Sequence, residues 1–311
     1  MRSRSLVLIA SSLVAVTAFT ACGDSSNSSA ATSTSSGAST TVVGESTTTI
    51  SLPVPPVPPK PTVKIPATLP TALVVTELRP GTGEPSKAGD KVVVHYVGVR
   101  SVDGTEFDSS YDRGSPYAVE NVGQASVIDG WNEGLIGVKT GEQLQLDIPA
   151  DKAYGDNPNP GGVIQAGDAL TFVIDVVVVI PAVDPADEPD VTVKPSSTLL
   201  SDVVTTDLVP GDGAEVGLGN TVAIHIIAFR ADTGAKLTDA STWPGGGPVE
   251  YLVGSPDGLI GLNEGLVGMK VGGRRQISIP FADGWGEGGR EELGLPASTD
   301  IVLVIDLFAS Y

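Results

Sequence analysis

The chain has 311 residues with 18 Lys and Arg against 37 Asp and Glu, a formal net charge of −19, and room for one to three domains. Such an acidic chain repels a phosphate backbone, which argues against nucleic acid as a partner. One cysteine excludes an intrachain disulfide and a Cys-rich metal site, two histidines leave little room for a zinc centre, and 41% apolar residues suffice for packed cores.

Residues 1–21 have the form of a secretory signal: Arg2 and Arg4 precede a short apolar run over 6–19, and small residues follow. That run is shorter than the roughly 20 residues a bilayer span needs. Phe19-Thr20-Ala21-Cys22 resembles a bacterial lipobox, with Phe19 where leucine is usual. The expectation is therefore lipidation at Cys22, the sole cysteine, and an extracytoplasmic protein anchored to a cell membrane. An ordinary cleaved signal is the alternative. Loss of Arg2 and Arg4 leaves 16 basic residues against 37 acidic ones, a net charge of −21.

A stalk is expected over 22–70. Its first part is mostly Ser, Thr, Ala and Gly and cannot bury enough apolar area to fold. Its second part, VPPVPPKPTVKIPATLP, is a stiffer polyproline-type spacer. A Pro-rich stretch can also be a recognition motif, but this position favours the spacer.

Beyond the stalk the chain repeats once. Glu77-Leu78-Arg79-Pro80-Gly81 returns as Asp207-Leu208-Val209-Pro210-Gly211, Val94-His95 as Ile224-His225, and Asn132-Glu133-Gly134-Leu135 as Asn263-Glu264-Gly265-Leu266. A period near 130 residues is too long for a solenoid and denotes two copies of one domain. The expected domains are 71–181 and 199–311, with an acidic, Pro-rich linker over 182–198 between them.

Within each copy the pattern is mainly β. Leu144, Leu146 and Ile148 alternate with Gln143, Gln145 and Asp147, the period of a half-buried strand. Residues 170–180 and 301–308 are nearly continuous apolar runs. Trp131, Leu135 and Val138 fall at helical spacing, so one short helix per copy is expected over 130–138. The fold class is α+β, each domain a twisted antiparallel sheet wrapped on one helix. Residues 92–113, VVVHYVGVRSVDGTEFDSSYDR, read as a strand, a turn at Val102-Asp103-Gly104, and a second short strand leading into a polar loop. Alternation turns His95 and His225 away from the Tyr96 face, where packing is the expected role.

The first copy resembles the FKBP-type peptidyl-prolyl cis-trans isomerases. The matching stretches, in order, are PGTG (80–83), VVHYVG (93–98), DGTEFDSS (103–110), VIDGWNEG (127–134), IPADKAYG (148–155) and ALTFVIDV (169–176). The resemblance covers about a third of the chain. It implies a pocket in which Tyr96, Phe107, Asp108, Trp131, Tyr154 and Phe172 are catalytic. Arg113, Tyr117, Val127, Ile128 and Ile164 bind substrate, with Arg113 anchoring Asp108 and the Ile128 N–H serving as donor to a ligand carbonyl. It implies proline-containing polypeptides as partners, FK506-type macrolides as ligands, no cofactor, and a monomer. The loop over 156–163 is one residue longer than in single-domain relatives.

The second copy departs from that pattern. Tyr96 corresponds to Ile226, Phe107 to Leu237, Asp108 to Thr238, Trp131 to Leu262 and Tyr154 to Trp285. No arginine stands in the Pro- and Gly-rich stretch over 244–248 that corresponds to Arg113. No catalytic residue carries into 199–311, which is expected to be a degenerate domain. The sequence thus points to a surface-anchored prolyl isomerase with one active domain. A non-catalytic polypeptide-binding protein or chaperone is the alternative, and a two-domain adhesin leaves the motifs unexplained.

Overall fold

The computed structural model describes residues 58–311, apart from Asn159, Pro160 and Gly246. The expected signal over 1–21, Cys22 and the stalk up to residue 57 lie outside the described residues.

Runs of β-branched residues build the first sheet. Its strands are β1 (Val74–Arg79), β2 (Lys91–Arg100), β3 (Glu106–Ser109), β4 (Tyr117–Val119), β5 (Gln143–Ile148) and β6 (Leu170–Ile180). The order is β1-β5-β6-β2-β3, with β4 sharing the β3 side of β2, and every pairing is antiparallel. Two short helices accompany it, α1 (Ser110–Arg113) and α2 (Asp129–Gly134). Leu135, Leu144, Leu146, Ile148, Leu170 and Ile174 are fully buried between α2 and the sheet.

The second domain repeats the plan with β7 (Val204–Val209), β8 (Thr221–Arg230), β9 (Val249–Leu252), α3 (Ile260–Leu266), β10 (Arg274–Ile279) and β11 (Ile301–Ser310), ordered β7-β10-β11-β8-β9. The helix sits against the sheet through glycines in both domains. A Cβ on Gly130 would lie 2.5 Å from Ile148, and one on Gly261 would lie 2.3 Å from Ile279. Glycine at these positions lets the helix backbone rest directly on an isoleucine side chain of the strand.

Two local expectations change. The helix read over 130–138 ends at Gly134 with Leu135 as its cap, and Gly137 at φ +87° turns the chain away. Val138 is buried by the following loop instead of by a helical turn. The segment read as a polar loop before Arg113 is the one-turn helix α1, closed by Gly114 at φ +67°.

The last part of the expected stalk is held on the first domain. Pro61, Val63 and Ile65 alternate as half-buried residues with the exposed Thr62 and Lys64. Gln145 on β5 donates to the Lys64 carbonyl at 3.0 Å, and Ile65 lies beside Gly104 in the β2–β3 turn. Lys60 Nζ reaches Glu106 and Asp112, each at 2.8 Å. The segment therefore crosses the sheet from the β1 side to the β3 edge. A purely solvated spacer over 58–70 does not describe it, since its alternating apolar residues gain burial on the sheet.

Residues 182–198 pack mostly on the second domain. Val183, Val191 and Val193 join Phe229 and Trp243 in an apolar cluster, and Ser196 N–H donates to the Ala231 carbonyl at 2.8 Å. Between the domains, Val93, Val178 and Ile180 meet Ala223 and Ala309. Lys91 bridges Glu120 at 2.8 Å and Glu250 at 2.7 Å beside this apolar seam.

Candidate active site

Strand alternation sends His95 to one face of β2 and Tyr96 to the other, and the two faces do different work. On the outer face Ser110 Oγ lies 3.0 Å from His95 Nδ1 and accepts from Tyr96 N–H at 2.8 Å, while the His95 ring meets that of Tyr111 at 4.9 Å. Burial lowers the His95 pKa. On the inner face four rings meet nearly edge to face. Tyr96 and Trp131 are 5.1 Å apart at 90°, Trp131 and Phe172 5.3 Å at 80°, and Phe107 and Phe172 5.5 Å at 85°. Tyr117, 40% exposed, approaches both Tyr96 and Trp131 at 6.2 Å. Such packing sets ring edges against ring faces, the arrangement that aromatic quadrupoles favour.

Gly98 makes this packing possible. A Cβ there would lie 2.7 Å from both Phe107 and Phe172. Phe172 faces Gly98 across the β2–β6 pairing, so the missing side chain is the space the two phenylalanines occupy.

The polar edge of the cluster is one connected set. Tyr96 donates its hydroxyl proton to Asp108 Oδ2 at 2.5 Å and accepts from Arg113 Nη2 at 2.7 Å. Arg113 Nη1 also pairs with Asp108 Oδ1, which accepts from Ser109 N–H at 2.8 Å. The guanidinium lies 5.4 Å from the Tyr96 ring centroid. Burial, reinforced by the Asp108 acceptor and opposed by Arg113, pushes the Tyr96 pKa up to about 12. The Asp108–Arg113 pair is partly exposed, so its contribution is orientation more than stability.

The remaining expected residues come from loops. Val127, Ile128 and Ile164 pack against the aromatic core as half-buried side chains. Ile128 is the N-cap of α2 with extended backbone, and its N–H has no acceptor among the described residues. Tyr154 is 42% exposed, and its hydroxyl likewise has no partner among them. Its pKa is raised, by burial first and then by Asp108 and Tyr117. The aromatic floor thus carries two available polar groups, an N–H and a hydroxyl.

Two positioning residues emerge that motif reading did not single out. Ser110 fixes Tyr96 through its backbone. Asn132 accepts from Ala125 N–H at 2.8 Å and donates to the Ala125 and Val127 carbonyls at 3.0 and 3.3 Å, shaping the loop that presents Val127 and Ile128. The return of Asn132 as Asn263 was the available signal. Asn263 accepts from Gly254 N–H at 2.7 Å and donates to the Ser255 carbonyl at 3.0 Å.

In the second domain the corresponding space is filled. Leu237, Leu262 and Leu295 are buried in the core, with Trp285 packed against them. A short turn of 3-10 helix at Glu291–Leu293 lies against another at Thr238–Ala240. No carboxylate–guanidinium–phenol set stands at its edge among the described residues.

A model of the FKBP-type peptidyl-prolyl cis-trans isomerase family matches the chain twice, over residues 82–177 and 213–308. A protein of Streptomyces anulatus named FK506-binding protein is 44% identical over 121 residues, covering 39% of this chain and 97% of its own length. The FKBP-type peptidyl-prolyl cis-trans isomerase FkpA of Escherichia coli is 40% identical over 124 residues, covering 40% of this chain and 44% of itself. Human peptidyl-prolyl cis-trans isomerase FKBP10 is 33% identical over 237 residues, covering 76% of this chain and 37% of itself.

Proposed function

We propose a function on this premise: the chain belongs to the family of FKBP-type peptidyl-prolyl cis-trans isomerases, and its first domain supplies the catalysis. Isomerisation of peptidyl-prolyl bonds is the activity that this membership carries. The observation that carries the assignment to one domain is the edge-to-face cluster of Tyr96, Phe107, Trp131 and Phe172, which the second domain lacks.

Rotation about a peptide C–N bond meets a barrier of about 18–20 kcal/mol, because that bond is partly double. At X–Pro the two isomers are close in energy yet exchange over tens to hundreds of seconds. A thousand-fold acceleration therefore requires lowering the barrier by about 4 kcal/mol, with no bond to substrate made or broken. A rotated amide has less charge separation than a planar one, and an apolar site favours it over the planar ground state. In this reading Tyr96, Phe107, Trp131 and Phe172 hold the proline ring. Tyr117, Val127 and Ile164 wall the pocket. The Ile128 N–H and the Tyr154 hydroxyl hold the flanking peptide carbonyls. Asp108, oriented by Arg113 and Tyr96, presents a carboxylate beside the rotating amide. FK506-type macrolides would occupy the same floor.

The working place follows from the N-terminal sequence. Lipidation at Cys22 would anchor the protein outside the cytoplasm, where its substrates are X–Pro bonds of exported polypeptides. No helix among the described residues is long and apolar enough to cross a membrane. Incorporation of a fatty-acid probe, lost in Cys22→Ala, tests the anchor. For the activity, the intact chain should accelerate cis/trans exchange of a short X–Pro peptide. Trp131→Leu should remove the acceleration, and Leu262→Ala should leave it in place. An intact, folded chain with no acceleration overturns the reading.

A further inference from the structure

One side chain on the outer face of the first domain bears on the pocket behind it. α1 is a single turn, and its cap, Ser109, makes no side-chain hydrogen bond to it. A helix of four residues cannot hold its own shape, so its place is set by what its side chains grip. Ser110 is fully buried and binds His95 and the Tyr96 N–H. Tyr111 lays its ring against His95 and donates its hydroxyl to Asp175 Oδ2 at 2.6 Å. Asp112 turns to Lys60, an exposed pair of little energetic weight. Arg113 turns instead to the polar edge of the pocket, where it meets Asp108 and the Tyr96 hydroxyl.

Asp175 is a firm anchor. It lies on β6 directly across from His95 on β2 and is 5% exposed. Arg79 donates to it at 2.9 Å, and Gln143 at 2.9 and 3.0 Å, so the carboxylate is tied to β1 and β5 as well. Burial first, and Asp175 second, raise the Tyr111 pKa, which keeps the phenol a proton donor. A hydrogen bond to a carboxylate is among the stronger ones a side chain makes. Here it fixes α1 two residues ahead of the guanidinium.

The second domain supplies a control. His225 keeps its hydroxyl partner, with Thr242 in place of Ser110. At the next position Trp243 stacks on His225 at 4.3 Å and 21°, and its indole N–H is buried without a hydrogen-bond partner among the described residues. Asp306, across from His225 as Asp175 is from His95, pairs with Arg274 through Oδ1 at 2.7 Å. Its Oδ2 is buried and has no hydrogen-bond partner among the described residues. No arginine follows in residues 244–248. The fold thus tolerates the loss of the phenol–carboxylate bond, and that bond is present in the domain that has a guanidinium to aim.

We infer that Tyr111 is a positioning residue for isomerisation. Its hydroxyl, bonded to Asp175, holds α1 so that Arg113 aims the Asp108 carboxylate at the rotating amide. The inference rests on the pocket reading above. Ser110 serves the fold, as Thr242 does in the second domain, while the Tyr111 hydroxyl serves the pocket from the opposite face of the sheet.

The test compares the full chain with Tyr111→Phe, which keeps the ring beside His95 and removes only the hydroxyl. Two readouts are taken: exchange of a short X–Pro peptide, and the Arg113 side-chain N–H resonances, assigned by their loss in Arg113→Leu. Tyr111→Phe should lower kcat by roughly three- to tenfold, the range of one hydrogen bond. KM should stay within about twofold, because the carboxylate acts on the rotated amide more than on the bound ground state. The Arg113 resonances should move toward those of exposed arginines. In Arg113→Leu, itself slowed, adding Tyr111→Phe should cost less than about twofold, since nothing is left to aim. Tyr111→Trp, the ring of the second domain, should reproduce the loss of kcat, and it decides the matter if the phenylalanine variant does not fold. Tyr251→Phe, which removes a hydroxyl bonded to Asn263 in the second domain, should leave kcat unchanged. A folded Tyr111→Phe chain with parental kcat overturns the inference, as do unmoved Arg113 resonances. A loss of equal size in the Arg113→Leu background also overturns it, because the hydroxyl would then act without the arginine. An inactive parent would defeat the isomerase reading alone, and the resonances would still decide whether Tyr111 holds Arg113.

Discussion

At corresponding positions, 130 to 132 residues apart, the two domains carry the same outer face and different inner faces. Outside, His95 Nδ1 with Ser110 Oγ is matched by His225 Nδ1 with Thr242 Oγ1, and the ring beside the histidine is Tyr111 in one and Trp243 in the other. The backbone N–H of Tyr96 donates to Ser110 and that of Ile226 to Thr242, each at 2.8 Å. Inside, Gly98, Phe107, Phe172 and Trp131 become Ala228, Leu237, Leu303 and Leu262. The changes compensate one another in volume: smaller leucines leave space where an alanine Cβ now fits. A fold needs the outer hydroxyl and a filled interior, and it is indifferent to whether that interior is aromatic. The fold therefore does not require the aromatic set and its polar edge, which under the proposed function serve catalysis.

The strongest way to break this contrast is to give the first domain the second domain's interior. Tyr96→Ile/Phe107→Leu/Trp131→Leu should reduce X–Pro exchange to the uncatalysed rate, a loss of about 4 kcal/mol of barrier lowering if the parent works a thousand-fold. Circular dichroism should show the sheet retained. Retained activity would separate the aromatic cluster from catalysis. Next in size, Gly98→Ala should destabilise the first domain by about 1–3 kcal/mol in urea, because its Cβ overlaps two phenylalanine rings. Adding Phe107→Leu should recover much of that loss, as the Ala228–Leu237 pair indicates.

Smaller still, Tyr154→Phe should lower kcat/KM by roughly two- to tenfold, the range of one neutral hydrogen bond, with unfolding unchanged. Trp285→Phe in the second domain should leave the rate as it was. The smallest effect is a pH dependence. The Tyr96 pKa, about 12 in the folded state, lies above the ordinary tyrosine value near 10. The folded state thus holds this proton more tightly than the unfolded one. The associated stability is full below pH 10 and is lost as pH rises through 12. Urea titrations of the parent and Tyr96→Phe should accordingly converge over that window, and parallel curves would contradict the assignment.

Strands were legible in the residues because β alternation is local: Leu144, Leu146 and Ile148 announce β5 without knowledge of what covers them. The rings that meet on the inner face were legible through family motifs, and the repeat supplied the control that set Tyr96 apart from His95. Three features were not. Apolar spacing extended the helix to Val138, but the backbone turns at Gly137, and φ is not written in hydrophobic period. A single helical turn at Ser110–Arg113 is too short to show any period. The partners of Lys60 lie 46 and 52 residues along the chain, a separation at which local pattern carries no information. Asn132 was visible as a repeated residue, yet its three hydrogen bonds to the Ala125–Val127 loop required coordinates.

The strand order has a consequence for how the molecule comes into being. β6 is the last strand of the first domain, yet it lies between β5 and β2 at the centre of the sheet. Phe172, on that strand, is the ring that joins Trp131 to Phe107. Nearly every pairing in the sheet closes a long loop, and such topologies fold in milliseconds to seconds, not microseconds. α2, at six residues, is far too short to nucleate by itself. A chain emerging N-terminus first thus presents all its early strands without a centre, and the aromatic floor assembles only when residue 180 is free.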